Sequence, residues 1–184
     1  MHTVRDAYEA ELKTRGFQSD PAQLRAVDAL QRCADEWAAY KDRRSNRLKK
    51  LFNHPDIPKG VYMYGGVGRG KSFLMDCFFN AVPIKRKTRL HFHEFMREVH
   101  RELAALQGTV NPLDELGRRM AAKFKLICFD EFHVADITDA MILHRLLVAL
   151  FDNGVGFVTT SNFQPDDLYP GGLHRDRILP AIAL

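Results

Sequence analysis

Gly60-Val-Tyr-Met-Tyr-Gly-Gly-Val-Gly-Arg-Gly-Lys-Ser72 is the stretch on which the fold turns. A short apolar run, Val61 to Tyr64, leads into Gly65-Gly66-Val67-Gly68-Arg69-Gly70-Lys71-Ser72, and an apolar helical pattern continues from Lys71 to about Ala81. Strand, glycine-rich turn and helix, in that order, are the context that a phosphate-binding P-loop requires. Glycines let backbone amides point inward around phosphate oxygens where a Cβ would clash. The helix N-terminus adds partial positive charge at the same place. Lys71 is then placed to bridge the β- and γ-phosphates and Ser72 to supply a Mg²⁺ ligand, so the sequence implies ATP with Mg²⁺. The expected nucleotide-binding set is Gly65, Gly66, Val67, Gly68, Arg69, Gly70, Lys71, Ser72 and Phe73. A glycine-rich turn with a chance Lys-Ser is the alternative, and the flanking strand and helix argue against it.

Working outward, a second element follows the P-loop: the apolar run Leu126 to Phe129, then Asp130-Glu131. A carboxylate at the tip of a buried strand can sit beside Mg²⁺ without blocking the phosphates, which makes Asp130 a second expected metal ligand. Glu131 is placed to activate a water for in-line attack on the γ-phosphate. Alone, this pattern is weak, because apolar strands often end at acidic residues; coupled to a P-loop, it points to hydrolysis. A third element, Thr159-Thr160-Ser161-Asn162, closes a further apolar run, and Asn162 can hold the attacking water or touch the γ-phosphate. Ser-Asn also favours a plain strand-ending turn. Arg175 and Arg177 follow in Leu173-His-Arg-Asp-Arg177, where an arginine finger and a solvated surface turn are both compatible with the residues. The expected catalytic set is Lys71, Asp130, Glu131, Asn162, Arg175 and Arg177.

The rest of the chain supplies the frame. Residues 1–16 read as a short helix ending at Gly16, and Asp20-Pro21 opens a second, with Gln23 at N3 reaching back to cap it. After a proline-rich loop, four apolar strands (60–64, 89–93, 125–129 and 155–160) alternate with helical patterns. Such alternation predicts a parallel sheet covered on both faces: a three-layer α/β/α P-loop NTPase behind an N-terminal helical segment. The division expected is a helical segment at 1–52 and the P-loop core at 53–184.

Composition is that of an ordinary globular domain, with 46% apolar residues, 27% charged and a net charge of +4. Cys33, Cys77 and Cys128 lie far apart without Cys-x-x-Cys spacing, which argues against a disulfide framework or a zinc site and for a reducing compartment. No apolar run reaches a membrane-spanning length, and the N-terminus lacks secretory and transit patterns, so the expected location is cytoplasmic. The segment Arg177-Ile-Leu-Pro-Ala-Ile-Ala-Leu184 stops on apolar residues with no polar cap, which reads as a chain cut short.

The residues also carry a family resemblance. P-loop, Asp130-Glu131-Phe132, Ser161-Asn162 and an arginine-rich turn, in that succession, resemble AAA+ ATPases. Gly60–Ser72, Leu90-His-Phe-His-Glu-Phe-Met-Arg-Glu-Val-His100, Cys128–Ile137 and Thr160-Ser-Asn-Phe-Gln-Pro-Asp-Asp-Leu-Tyr169 resemble the ZapE family of bacterial cell-division ATPases, related to mitochondrial lactation-elevated ATPases. The resemblance implies a sheet in which the Asn162 strand lies between the P-loop and Asp130 strands. It implies remodelling of a protein partner, FtsZ polymers or other division proteins, and a homo-oligomer in the full-length protein, with peripheral membrane association a further reading. It also implies a helical lid beyond Leu184, whose absence would weaken ATP affinity or favour a monomer.

Other signals are less specific. His91 and His93 would share a face of their strand, which a metal would want, but no third ligand is evident and packing is the simpler reading. His133 could contact Glu131 or serve its turn. The basic stretch Lys41–Lys50 reads first as a solvated helix face, with nucleic acid, anionic lipid and an acidic tail as alternatives, and nucleic acid is not specifically indicated. Gln23, if not occupied in capping, could reach the adenine. The competing functions are therefore an ATPase that remodels a protein, a helicase-loader-like ATPase acting on nucleic acid, and a nucleotide-dependent switch with little turnover.

Overall fold

The computed structural model describes residues 3–134, 136–168 and 181–183. Thr3 caps the first helix, α1 (Val4–Arg15), with a reciprocal Thr3–Asp6 capping box, and Gly16 ends it in the left-handed conformation at φ 66°. Asp20 accepts from the Ala22 amide to start α2 (Pro21–Arg43), which at 23 residues is roughly 34 Å long. A short α3 (Arg47–Phe52) precedes β1 (Val61–Tyr64). The chain then alternates through α4 (Lys71–Ala81), β2 (Lys87–His91), α5 (Phe92–Ala105), α6 (Pro112–Lys123), β3 (Leu126–Asp130), α7 (Ile137–Asp152) and β4 (Gly156–Ser161). A single turn, α8 (Pro165–Leu168), and β5 (Ala181–Ala183) complete the described elements.

The sheet is parallel throughout, in the order β2-β3-β4-β1-β5. Alternation along each central strand divides the core in two. Val61 and Met63 of β1, Leu126 and Cys128 of β3 and Val158 of β4 pack with α1, α2 and α4; Tyr62, Ile127, Phe129 and Phe157 pack with α5, α6 and α7. Both faces being covered explains why β3 and β4 are buried at every position. Two close approaches fix the helices on the sheet. A Cβ on Gly156 would lie 2.5 Å from the Trp37 ring of α2, and one on Gly117 would lie 2.6 Å from the Ala149 Cβ, where α6 crosses α7.

Three sequence expectations change here. Among the described residues the sheet has five strands where four were expected: Ala181–Ala183 form β5, which pairs with β1. The second strand is Lys87–His91, and Phe92 already begins α5, because Phe92, Phe95, Met96 and Val99 recur at helical spacing and are buried together. His93 is therefore helical, although its ring still lies 5.7 Å from that of His91. Third, the basic stretch is not one helix face: α2 ends at Arg43, and Asn46 caps the separate α3. The implied placement of β4 between the P-loop strand and the Asp130 strand is what the sheet order shows.

Candidate functional site

Because every strand runs the same way, the carboxyl ends of β1, β3 and β4 share one edge of the sheet, the edge at which open α/β folds bind ligands. Residues 65–70 leave β1 and enter α4, with Gly65 at φ 155°, Gly68 at 79° and Gly70 at 82°. The last two conformations lie in the left-handed region that side chains disfavour, so the turn depends on glycine there. Lys71 folds back over the loop and donates to the carbonyls of Gly65 and Gly66 at 2.8 and 2.7 Å. Burial, with Arg69 close by, holds its ammonium below the usual lysine pKa, and Glu131 opposes that shift. Val67 and Arg69 are exposed at the loop's tip, and Ser72 is exposed at the start of α4. Phe73 turns the other way: its ring stacks on Tyr8 at 5.6 Å beneath Arg15, so only its backbone faces the P-loop turn.

Asp130 and Glu131 part company at the end of β3. Asp130 is nearly buried, and Arg89 of β2 grips it with Nε to Oδ2 at 2.7 Å and Nη2 to Oδ1 at 3.2 Å. Glu131 is exposed and its backbone is left-handed at φ 55°, a conformation that costs a non-glycine residue about 1–3 kcal/mol unless its surroundings impose it. They do. The Glu131 amide donates to Thr160 Oγ1 at 3.2 Å, the Phe132 amide to the Thr160 carbonyl at 2.7 Å, and Ser161 Oγ to the Phe132 carbonyl at 2.7 Å. The last strand pair thus sets the turn that aims Glu131. Glu131 and Asn162 line one cleft of about 360 Å³ with His93, His133 and Phe163.

His91, not His133, approaches the Glu131 carboxylate, with Nδ1 3.7 Å from Oε2. His133 stacks instead on Phe163 at 4.5 Å. Among the described residues no cluster of three or more His, Cys, Asp or Glu could hold a metal. Arg175 and Arg177 lie outside the described residues.

This arrangement can be set beside known proteins. Residues 2–184 match the family described as AFG1-like ATPase. The chain belongs to the AFG1-like ATPase family. It is 46% identical over 166 residues to "Cell division protein ZapE" of Escherichia coli K12, covering 90% of this chain and 42% of that protein. It is 43% identical over 141 residues to lactation elevated protein 1 homolog B of Danio rerio, covering 71% and 28%. The AFG1-like chain thus spans less than half the length of these relatives. Among solved structures, an AMPPCP-bound DnaA from Aquifex aeolicus superposes with a TM-score of 0.60 at 15% identity, covering 99% of this chain and 49% of that one. A DnaC helicase loader gives 0.59 at 12% identity, covering 90% and 92%. At such identities the likeness shows the shared P-loop NTPase fold.

The AFG1-like site also uses residues that sequence reasoning placed elsewhere. Gln23 does not cap α2; its Oε1 accepts from the Tyr8 hydroxyl at 2.9 Å and its Nε2 donates to the Arg69 carbonyl at 3.2 Å. No role was expected of the Arg89 side chain or of the Thr160 hydroxyl within its strand-end element. Their partners lie 41 and 29 positions away and meet them only through strand pairing.

Proposed function

We propose that this chain carries the hydrolytic core of a Mg²⁺-dependent AAA+ ATPase that remodels a protein partner. The observation that supports it most is the meeting of Lys71, Asp130, Glu131 and Asn162 at one sheet edge, with the Glu131 backbone held in a left-handed turn by Thr160. Lys71 and the amides of residues 66–72 would hold the β- and γ-phosphates of ATP. The donor set at the α4 N-terminus and the β3 tip, a hydroxyl from Ser72 and a carboxylate from Asp130, is the hard-oxygen chemistry that suits Mg²⁺. Bound with the nucleotide, Mg²⁺ supplies charge neutralisation at the phosphates. Glu131 takes the proton of the attacking water, and Asn162, across the cleft, orients that water. Arg175 or Arg177 would act on the nucleotide of a neighbouring copy. Kinship to a protein named for cell division favours a division protein as partner, with FtsZ polymers the first substrate to test and the cytoplasm the setting.

Phosphate release with Mg²⁺ and ATP tests the reading. Lys71→Ala should abolish nucleotide binding, and Glu131→Gln should keep binding while lowering turnover by about 10²–10⁴-fold, the usual share of a general base. Unchanged turnover in Glu131→Gln would remove Glu131 from the chemistry. Stimulation by single-stranded DNA and not by FtsZ polymers would move the protein to the helicase-loader class.

A further inference from the structure

Lys87, Arg89 and His91 alternate along β2 and share one of its faces. Lys87 donates to the Phe79 and Val82 carbonyls at the end of α4, and His91 approaches Glu131. Arg89, between them, is bound most fully. Its guanidinium forks onto both oxygens of Asp130, pairs through Nη1 with Asp76 of α4, and reaches the Ser72 carbonyl at 3.4 Å. Its side chain is 21% exposed and that of Asp130 12%. Burial works against the Arg89 charge, yet Asp130 and Asp76 outweigh burial and hold its pKa above the usual value.

One arginine therefore spans the two elements that carry Ser72 and Asp130, and it occupies the carboxylate a divalent cation would need. A bidentate guanidinium–carboxylate pair is short, planar and strong. A lone cation must displace it at full cost, whereas a cation arriving on a nucleotide brings phosphate oxygens and its own neutralised charge. We propose that Arg89 guards the cation position, a positioning residue that keeps Asp130 closed to free divalent cations and so makes metal entry conditional on nucleotide. Asp76 is the counterpart: with Arg89 removed, Asp76 and Asp130 are left as unbalanced carboxylates around one vacated guanidinium position, a hard-oxygen pair that attracts a divalent cation. Linkage then requires that the metal dependence of nucleotide affinity fall in the same proportion.

The inference rests on the proposed assignment of Ser72 and Asp130 to the cation, and two readouts keep the pair separable. Mn²⁺ uptake, followed by loss of its free paramagnetic resonance signal, is measured on the full chain with and without ATP. Uptake by the wild type with ATP, beyond what the same ATP takes up without protein and lost in Asp130→Asn, reports the assignment; uptake by Arg89→Gln without ATP reports the guard. The wild type should bind Mn²⁺ at least ten-fold more weakly alone than with ATP. Arg89→Gln should bind it at least ten-fold more tightly than the wild type without nucleotide, and adding Asp76→Asn should reverse that gain. A fluorescent ATP analogue should show an affinity for Arg89→Gln that depends less on Mg²⁺. Arg89→Lys keeps the charge but not the fork and should fall between the two, which serves if the glutamine variant does not fold. A folded Arg89→Gln or Arg89→Lys with wild-type Mn²⁺ affinity in the absence of nucleotide overturns the proposal.

Discussion

The side-chain amide of Gln23 lies 3.2 Å from the carbonyl of Arg69, so the second helix of the chain is hydrogen-bonded to the phosphate loop it precedes by 46 positions. The contact is also steric: a Cβ on Gly70 would lie 2.7 Å from Gln23 Nε2. Gln23 takes its other bond from Tyr8, whose ring stacks on Phe73, so α1, α2 and the start of α4 form one bracket around the loop.

Gln23→Ala should accordingly act on both stability and nucleotide. Two partly exposed hydrogen bonds contribute about 0.5–1.5 kcal/mol each, which for a chain of this size is a melting-temperature loss of about 2–12 °C. Affinity for a fluorescent ATP analogue should fall several-fold, because the loop loses an anchor. Tyr8→Phe keeps the stack and drops only the hydroxyl, so its affinity should fall less. Equal nucleotide affinity in Gln23→Ala and wild type would confine Gln23 to packing.

Thr160 gives a sharper separation. Its hydroxyl accepts from the amide of Glu131, whose left-handed backbone needs that support. Thr160→Val keeps the shape and removes the acceptor, leaving Glu131 free to relax. The expected result is turnover reduced about ten-fold or more, with binding of the ATP analogue nearly unchanged. Thr160→Ser should restore most of the rate. A parallel loss of binding and turnover would show that the P-loop, not Glu131, had been disturbed.

The same residues show what was legible in the sequence. Glycine spacing, apolar runs and capping residues are local, so the P-loop, its strand and helix, and the Asp20–Pro21 helix start could be read from neighbours in the chain. The strand at Ala181–Ala183 was missed because three residues carry too little period to be told from an apolar tail. Gln23 was misread because its local role, an N3 cap, is a common one, while its actual partners come from α1 and the loop after β1. Arg89 on an edge strand looks like ordinary edge protection until β2 is paired beside Asp130.

Gly156 tests the packing of α2 on the sheet. It begins β4 directly beneath Trp37, and an added methyl would lie 2.5 Å from the ring, with ring atoms on an otherwise buried side chain that has little room to yield. Gly156→Ala should therefore destabilise by about 1–3 kcal/mol, the usual cost of overpacking. Trp37 fluorescence in a urea titration measures it directly. A midpoint equal to the wild type would mean that α2 shifts freely on the sheet.

The buried thiols set a limit on alkaline stability. Burial pushes Cys33 up to about 12 and Cys77 to about 11, from a usual 9.0, and raises Cys128 as well. In the unfolded chain the thiols ionise as pH passes 9.0, while in the folded chain they stay neutral until about 11–12. The unfolded state therefore binds fewer protons in that window, and stability present below pH 9.0 is lost as pH rises through the folded values. Each buried thiol contributes a slope of up to about 1.4 kcal/mol per pH unit, and Cys77, with the lower folded value, gives out first. Lys71, Lys87 and Lys125, held below the usual lysine range chiefly by burial, push the other way, since the unfolded chain keeps their protons longer. Urea titrations between pH 8 and 10.5 should show a net fall for the wild type. Cys33→Ala will be less stable at pH 8 because of the cavity, but its slope should be shallower by up to one thiol's share. Parallel slopes for the two proteins would show that Cys33 ionises as readily in the folded chain as in the unfolded one.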